Sequence, residues 1–504
     1  MLLRPTLTRL ATGRIALGGV LAGGIGLRLL ELLRNRSLRW DEASLALNIL
    51  HLPFARLFGP LEHDQVAPPL FLVVEKALAE ALGSQELVLR VLPFLLGIAA
   101  LFLFATLSRR ILGDGPGRLL ALGLFVITDS LVFYSADAKP YSGDVAACLW
   151  IWLCALRFAS SPDAGSALVY GVSGALLPWF SHAVVFVVGG TGAALVLLPT
   201  APEQRRARTL ALIPGGLVFV SLVNLYLFVL RHQTHKAVLD GFWSDYFAPL
   251  PPTSLGDLKW YVSSFFGLFT TPFGDGAKLY GLTAFTMLLG LAALARKQWR
   301  GVILLVTPAF LALLASGMHL YPFHGRLLTF LVPVVWLAVG AGALRFRELL
   351  PQRDAWTALL LVVMLCGHPL LNAMSLLRSP RQMPDFRTVA EHLRQNRREG
   401  DQLYLSHLGE NPVRYYAERS RLDLEPLLVG TAIDSFGPEF HRDLERLRGR
   451  GRVWFVFDFG DPTRMEADVA ARVAMARLEE SGRELDRLDV FGVRLCLFDL
   501  DSMR

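Results

Sequence analysis

The sequence predicts a polytopic α-helical membrane protein with a soluble α/β domain at its C-terminus. Three observations predict it. Apolar residues make up 53% of the 504 residues and charged residues only 18%, against about a quarter charged in a soluble globular protein. The apolar residues fall in long uncharged blocks, most of them of a length that crosses a hydrocarbon core of about 30 Å. Lysine and arginine gather in short clusters between those blocks, where the positive-inside rule places them. The net charge of +7 therefore reads as membrane topology, and no nucleic-acid partner is expected. Cys148, Cys154, Cys366 and Cys496 show no metal or redox spacing and read as small core residues.

The elements follow in order. Arg4, Arg9 and Arg14 precede an apolar block over 13–33 with no small-residue cleavage site after it, which predicts a retained first span leading out of the cytoplasm. Residues 34–86 carry Asp41, Glu42, His51, Glu62, His63 and Asp64, with Glu75, Lys76 and Glu80 interrupting 68–82. They predict a large outer loop with helices at the interface. Residues 87–107 return inward to Arg109 and Arg110, 119–134 go out, and 142–156 come back. A hairpin over 167–180 and 183–198 turns outside at Pro178–His182. Residues 209–230 lead to a long outer loop over 231–278, and 279–294 and 302–316 flank the inner cluster Arg296–Arg300. Residues 327–344 and 356–377 complete about eleven spans in the inner (plasma) membrane. The N-terminus is then cytoplasmic and the C-terminal domain extracytoplasmic.

The domain organisation expected is therefore a membrane region over 1–377 and a soluble region over 378–504. In the second, strands are predicted over 401–406, 453–457 and 493–498, and helices over 386–396 and 463–481.

On this topology the polar residues that lipid penalises gather outside: Asp41, Glu42, His63, Asp64, Asp137, Lys139, His182, His319, His324 and Arg326. Ionisable groups beside a bilayer usually mark a functional cavity. Carboxylates with a lysine and an arginine suit group transfer on a phosphate-bearing lipid. Bland readings stand beside this one. Asp41 and Glu42 also suit the first turn of a helix through 43–50, and Glu42 there points about 100° away from Asp41, in a supporting role. His182 also suits an interface anchor, and the aromatics of 242–247 an interfacial belt. Asp41, Glu42 and a histidine are donors to which a divalent metal can bind; the metal question stays open, as it does for His319 and His324. A transporter or flippase of lipid-linked sugars is the alternative from another class, but it would place ionisable residues near the bilayer midplane, where most of these blocks have none. A receptor with a partner-binding C-terminal domain would leave Asp41 dispensable.

Three outer stretches carry a resemblance. They are Trp40-Asp41-Glu42, then Asp64-Gln65-Val66-Ala67-Pro68-Pro69-Leu70-Phe71, then Tyr134-Ser135-Ala136-Asp137-Ala138-Lys139-Pro140-Tyr141-Ser142. With Tyr321-Pro322-Phe323-His324-Gly325-Arg326, they resemble the GT-C superfamily of membrane glycosyltransferases, in the branch of lipid A aminoarabinose transferases and protein O-mannosyltransferases. The resemblance implies a polyprenyl-phosphate sugar donor, a lipid, glycan or protein acceptor, and Asp41 as the catalytic carboxylate. The aminoarabinose transferases carry a lysine directly before the Pro-Pro pair, where this chain has Ala67, so sugar and acceptor stay open. The chemistry agrees, because glycosyl transfer passes through an oxocarbenium-like state beside carboxylates. Asp41 suits the base for the acceptor, with Glu42 beside it. Lys139, Arg326 and Arg90 suit the donor phosphate, and Asp64, Asp137, Tyr141, His182 and His324 are candidate substrate contacts.

Overall fold

The structure, a computed structural model, describes residues 4–197, 205–232, 241–270, 279–351, 354–430, 438–460 and 465–501. Of the predicted loop over 231–278, residues 233–240 and 271–278 lie outside the described residues, as do the first two residues of the helix predicted over 463–481. The chain divides into two units. One comprises Met1–Leu33 and Pro53–Ser379, the other Arg34–Leu52 and Pro380–Arg504. Residues 34–52, grouped with the membrane region in the sequence expectation, thus pack with the C-terminal residues.

The first unit runs through helices Arg4–Leu33, Pro69–Leu82, Val91–Leu112, Pro116–Ile127, Asp129–Tyr134, Tyr141–Ser160, Ala164–Leu176, Val184–Leu197, Arg205–Phe228, Leu255–Gly267, Tyr280–Gly317, Val332–Leu349 and Ala355–Arg378. Among the described residues seven helical runs are long and apolar enough to cross a membrane, and Pro116–Ile127 and Val184–Leu197 are shorter apolar helices. Each of the eleven predicted blocks overlaps one or more of the unit's helices, though residue 198 lies outside the described residues and the block over 167–180 falls on a helix outside those nine.

Two departures from the predicted blocks have local causes. The block over 119–134 breaks at Thr128, whose backbone turns to φ −61°, ψ 118°. Its hydroxyl donates to the Leu124 carbonyl at 2.7 Å and accepts from Trp336 Nε1 at 2.7 Å. A threonine hydroxyl that takes a carbonyl in this way competes with the helical ladder. The blocks over 279–294 and 302–316 form one run, Tyr280–Gly317, interrupted at Gln298 with φ −152° and ψ 58°. Gln298 Nε2 donates to the Ile111 carbonyl at 3.1 Å, so the interruption is held by a neighbouring helix end.

Helices approach most closely where side chains vanish. A Cβ on Gly290 would lie 1.8 Å from the Ala338 carbonyl oxygen, and one on Gly342 would lie 1.8 Å from that of Thr286. Lipid tails are as apolar as leucine, so helices in a bilayer gain mainly by such close packing of small residues.

The second unit is built on a five-stranded sheet of order β2-β1-β3-β5-β4, with β1 Gln402–Leu405, β2 Leu427–Val429, β3 Arg452–Asp458, β4 Arg483–Val490 and β5 Val493–Asp499. β1 runs parallel to β2 and β3, while β5 is antiparallel to β3 and β4. The central Val453-Trp454-Phe455-Val456-Phe457 is buried throughout, the continuous apolar run of a strand covered on both faces. Asp401, just before β1, accepts from Arg452 Nε at 2.8 Å, Trp454 Nε1 at 3.0 Å and the Arg398 amide at 3.0 Å. Burial opposes its charge, yet these donors hold the carboxyl below its ordinary range. At the far end of β3, burial pushes the Asp458 carboxyl up to about 7, against a hydrogen bond from the Gly460 amide.

Candidate active site

The candidate residues fall into two sets, one in each unit. In the first unit the Pro-Pro element and the 134–142 stretch are tied together. Lys139 Nζ donates to Gln65 Oε1 at 2.7 Å, while Gln65 Nε2 donates to the His63 carbonyl at 3.1 Å. Gln65 thereby spans from a tight loop to a buried cation. That loop is sharply turned, since His63 (φ 58°) and Asp64 (φ 53°) both sit in the left-handed region, which costs a non-glycine residue about 1 kcal/mol or more. Pro68 then leads into the Pro69–Leu82 helix with Pro69 at its first position, where a missing amide hydrogen does no harm.

Lys139 leaves 6% of its surface exposed and Asp137 none. The Lys139 amide closes a tight turn onto the Asp137 carbonyl at 2.7 Å. Pro140 follows, and the Tyr141–Ser160 helix starts immediately after it. Tyr141 meets Tyr134 edge-on at 4.8 Å between ring centroids and lies under the Arg326 guanidinium at 5.6 Å. A cation over an aromatic face is attracted by the ring quadrupole, which helps to fix the Arg326 guanidinium over Tyr141. Gly325, at φ 54°, makes the turn into the short helix Gly325–Leu331 that carries Arg326. The structure thus brings together Lys139 with Gln65, and Arg326 with Tyr141. Arg90 is buried at the start of the Val91–Leu112 helix.

His324 stacks on Tyr246 at 3.8 Å, and His319 on Phe247 at 4.5 Å. Burial lowers the His324 imidazole below its usual value and pulls His182 down to about 4. His182 Nε2 has no hydrogen-bond partner among the described residues. Burial thus disfavours the charged form of both rings. Among the described residues no group of three His, Cys, Asp or Glu side chains is placed to hold a metal ion.

In the second unit Asp41 and Glu42 open the Trp40–His51 helix, preceded by Arg39 in extended conformation. Glu42 is fully buried. Its Oε2 accepts from the Arg39 amide at 3.3 Å and lies 3.6 Å from Arg39 Nε. It is the acidic half of a capping arrangement that satisfies a helix-start donor. Asp41 keeps 6% of its surface exposed, and its Oδ1 lies 3.6 Å from Arg39 Nη2. Both neighbouring carboxylates thus lie beside the Arg39 guanidinium, and Glu42 also accepts from the Arg39 amide.

Sequence reasoning missed two polar residues beside these sets. Gln65 stood inside a recognised stretch but is neutral, so charge counting passes over it. Asp144 lies in the first turn of an apolar helix and accepts from Ser181 Oγ at 2.5 Å; an ionisable residue inside a predicted span was the available signal.

The fold combines a helical membrane unit with a small mixed-sheet unit. Two solved structures share it over nearly their whole length. They are crystal structures of ArnT from Cupriavidus metallidurans, in the apo state and bound to undecaprenyl phosphate. The first is 13% identical in sequence, with a TM-score of 0.57 over 97% of this chain and 98% of that one. The second is 12% identical, with a TM-score of 0.56 and the same coverage. No protein-family model and no curated protein sequence matches this chain.

Proposed function

We propose that this protein is a glycosyltransferase that moves a sugar from a polyprenyl-phosphate donor to a lipid, glycan or protein acceptor on the outer face of the membrane. The observation that carries the reading is the fold likeness over 97% of the chain to a protein solved with undecaprenyl phosphate bound. The three outer motifs and the buried cations Lys139 and Arg326 support it.

The chemistry follows from the side chains. Asp41 takes the proton from an acceptor hydroxyl or amine. The freed lone pair forms a bond to the anomeric carbon as the bond from that carbon to the phosphate oxygen breaks. The electron pair leaves on the polyprenyl phosphate, whose charge rises by one. Arg326 meets that charge as a planar fork and Lys139 as a point charge, with Arg90 as a third cation. Asp64, Asp137, Tyr141, His182 and His324 are the proposed substrate contacts. No strong general acid is needed, because a charge-matched phosphate departs readily. The N-terminus is cytoplasmic and the C-terminal domain extracytoplasmic in this reading.

The test is transfer itself. Purified protein in nanodiscs is given undecaprenyl-phosphate aminoarabinose, mannose and glucose with an extract of envelope lipids and glycans. Consumption of one donor with release of undecaprenyl phosphate is expected. Movement of intact donor across a vesicle bilayer without consumption would instead establish a flippase. A single cysteine placed in the C-terminal domain of a cysteine-free variant is expected to label in intact cells; labelling only after lysis would reverse the orientation.

A further inference from the structure

We infer that Asn411 and Tyr416, in the C-terminal part of the second unit, are positioning residues for Asp41. This rests on the reading of Asp41 as the base and gives the C-terminal domain a task in the same reaction.

The helix that carries Asp41 packs along the helix His407–Ser420, and both lie in the same unit. Two polar contacts flank the carboxylate. On the N-terminal side the Tyr416 hydroxyl accepts from the Leu38 amide at 2.9 Å and from Ser37 Oγ at 3.1 Å. On the C-terminal side Asn411 Nδ2 donates to Ser44 Oγ at 2.8 Å, and Ser44 Oγ donates in turn to the Trp40 carbonyl at 2.7 Å. That carbonyl belongs to the peptide group joining Trp40 to Asp41. A relay of two hydrogen bonds therefore runs from the domain to the backbone of the catalytic residue. Ser44, three residues on, lies about 60° round the helix from Asp41.

Further contacts hold the approach to the helix. Arg387 Nη2 donates to the Asn35 carbonyl at 2.8 Å, and its guanidinium lies 6.0 Å from the Tyr416 ring centroid. At the other end His51 and Glu418 meet at 2.9 Å, both half-exposed.

Packing alone does not explain the choice of residues. Asn411 and Ser44 are buried, and Asn411 Oδ1 has no hydrogen-bond partner among the described residues. Burying an amide with one end unsatisfied is costly, and an apolar pair would fill the same space without that cost. What the polar pair adds is direction. It fixes the rotation and height of one turn of helix, the first turn, and a base must be held to a fraction of an ångström to act.

The test uses the full chain in nanodiscs with the three undecaprenyl-phosphate donors above. Asn411→Ala and Tyr416→Phe are expected to lower kcat by about 10-fold to 10²-fold, the loss that a misplacement of about 1 Å produces. Donor KM should stay within about two-fold. In an Asp41→Asn background the same substitutions should cause no further loss in the residual rate, because there is no longer a base to position. Equal kcat in wild type, Asn411→Ala and Tyr416→Phe overturns the inference while leaving Asp41 as the base. So does a fall in active fraction, with kcat per active site and its pH profile unchanged, since that is the mark of a merely structural contact. Normal turnover in Asp41→Asn, or no consumption of any donor by wild type, overturns the reading of Asp41 and this inference with it.

Discussion

The Lys139 ammonium donates to the side-chain oxygen of Gln65 at 2.7 Å, across 74 residues of sequence. That bond fixes the direction of the ammonium and ties the stretch before the Pro-Pro pair to the one before the Tyr141–Ser160 helix. Ala67 occupies the position at which the aminoarabinose transferases carry a lysine, and Gln65, two residues earlier, is the residue that reaches Lys139.

Loss of either cation should weaken the donor. Lys139→Ala and Arg326→Ala are each expected to raise the Kd for undecaprenyl phosphate by about 10-fold to 10²-fold, the scale of a charge-assisted hydrogen bond. Binding to nanodisc-embedded protein measures this. Unchanged binding together with a lowered melting temperature would make the cations structural.

The two adjacent carboxylates should separate in opposite senses. Asp41→Asn is expected to lower transfer by about 10² to 10⁴ with little change in thermal stability, as loss of a general base does. Glu42→Gln weakens the cap at the Arg39 amide and should lower stability by about 1 kcal/mol while turnover stays within a few-fold. Parallel turnover and melting measurements on both variants decide it; the reverse pattern would exchange the two roles.

Asp458 makes the sheet unit sensitive to pH. Its carboxyl titrates at about 7 in the fold and at about 3.9 when unfolded. Between these values the folded state keeps a proton that the unfolded state has lost. Stability therefore falls as pH rises from about 4 to about 7 and is lowest above that window. Asp458→Asn retains an acceptor for the Gly460 amide and removes the titration. Thermal unfolding of this variant should match wild type near pH 4 and exceed it at pH 8; a wild-type pH dependence retained in the variant would assign the effect elsewhere.

Gly290 and Gly342 test the membrane packing. Gly290→Leu places a side chain where even a Cβ would lie 1.8 Å from the Ala338 carbonyl oxygen. The two helices must separate, with an expected loss of about 3 kcal/mol or more. Melting in detergent measures it. Gly281→Leu, where a Cβ meets nothing within 4 Å, is the matched control and should be nearly neutral.

The sequence by itself placed the long apolar helices and the buried strands β1, β3 and β5, but not the helices Leu255–Gly267, His407–Ser420 and Pro438–Leu447. In a bilayer each backbone group must be satisfied within its own helix, so apolar block length is a local property that reads directly. The apolar runs 453–457 and 493–498 were legible for the same reason and became β3 and β5. The Phe386–Asn396 helix was legible from its period. The edge strand Arg483–Val490 was not: its burial alternates between exposed and half-buried and its residues are mostly charged, so only pairing with β5 makes it a strand. Tertiary structure alone decided the partner of Lys139, at a separation of 74 residues. It alone gave the Trp40–His51 helix to the C-terminal unit, through a contact between Ser44 and Asn411 separated by 367 residues. Composition shows that a polar side chain stands at a position, and only the folded chain brings the atom that will meet it. Hydrogen bonds act over about 3 Å, and no local pattern encodes which distant residue arrives within that range.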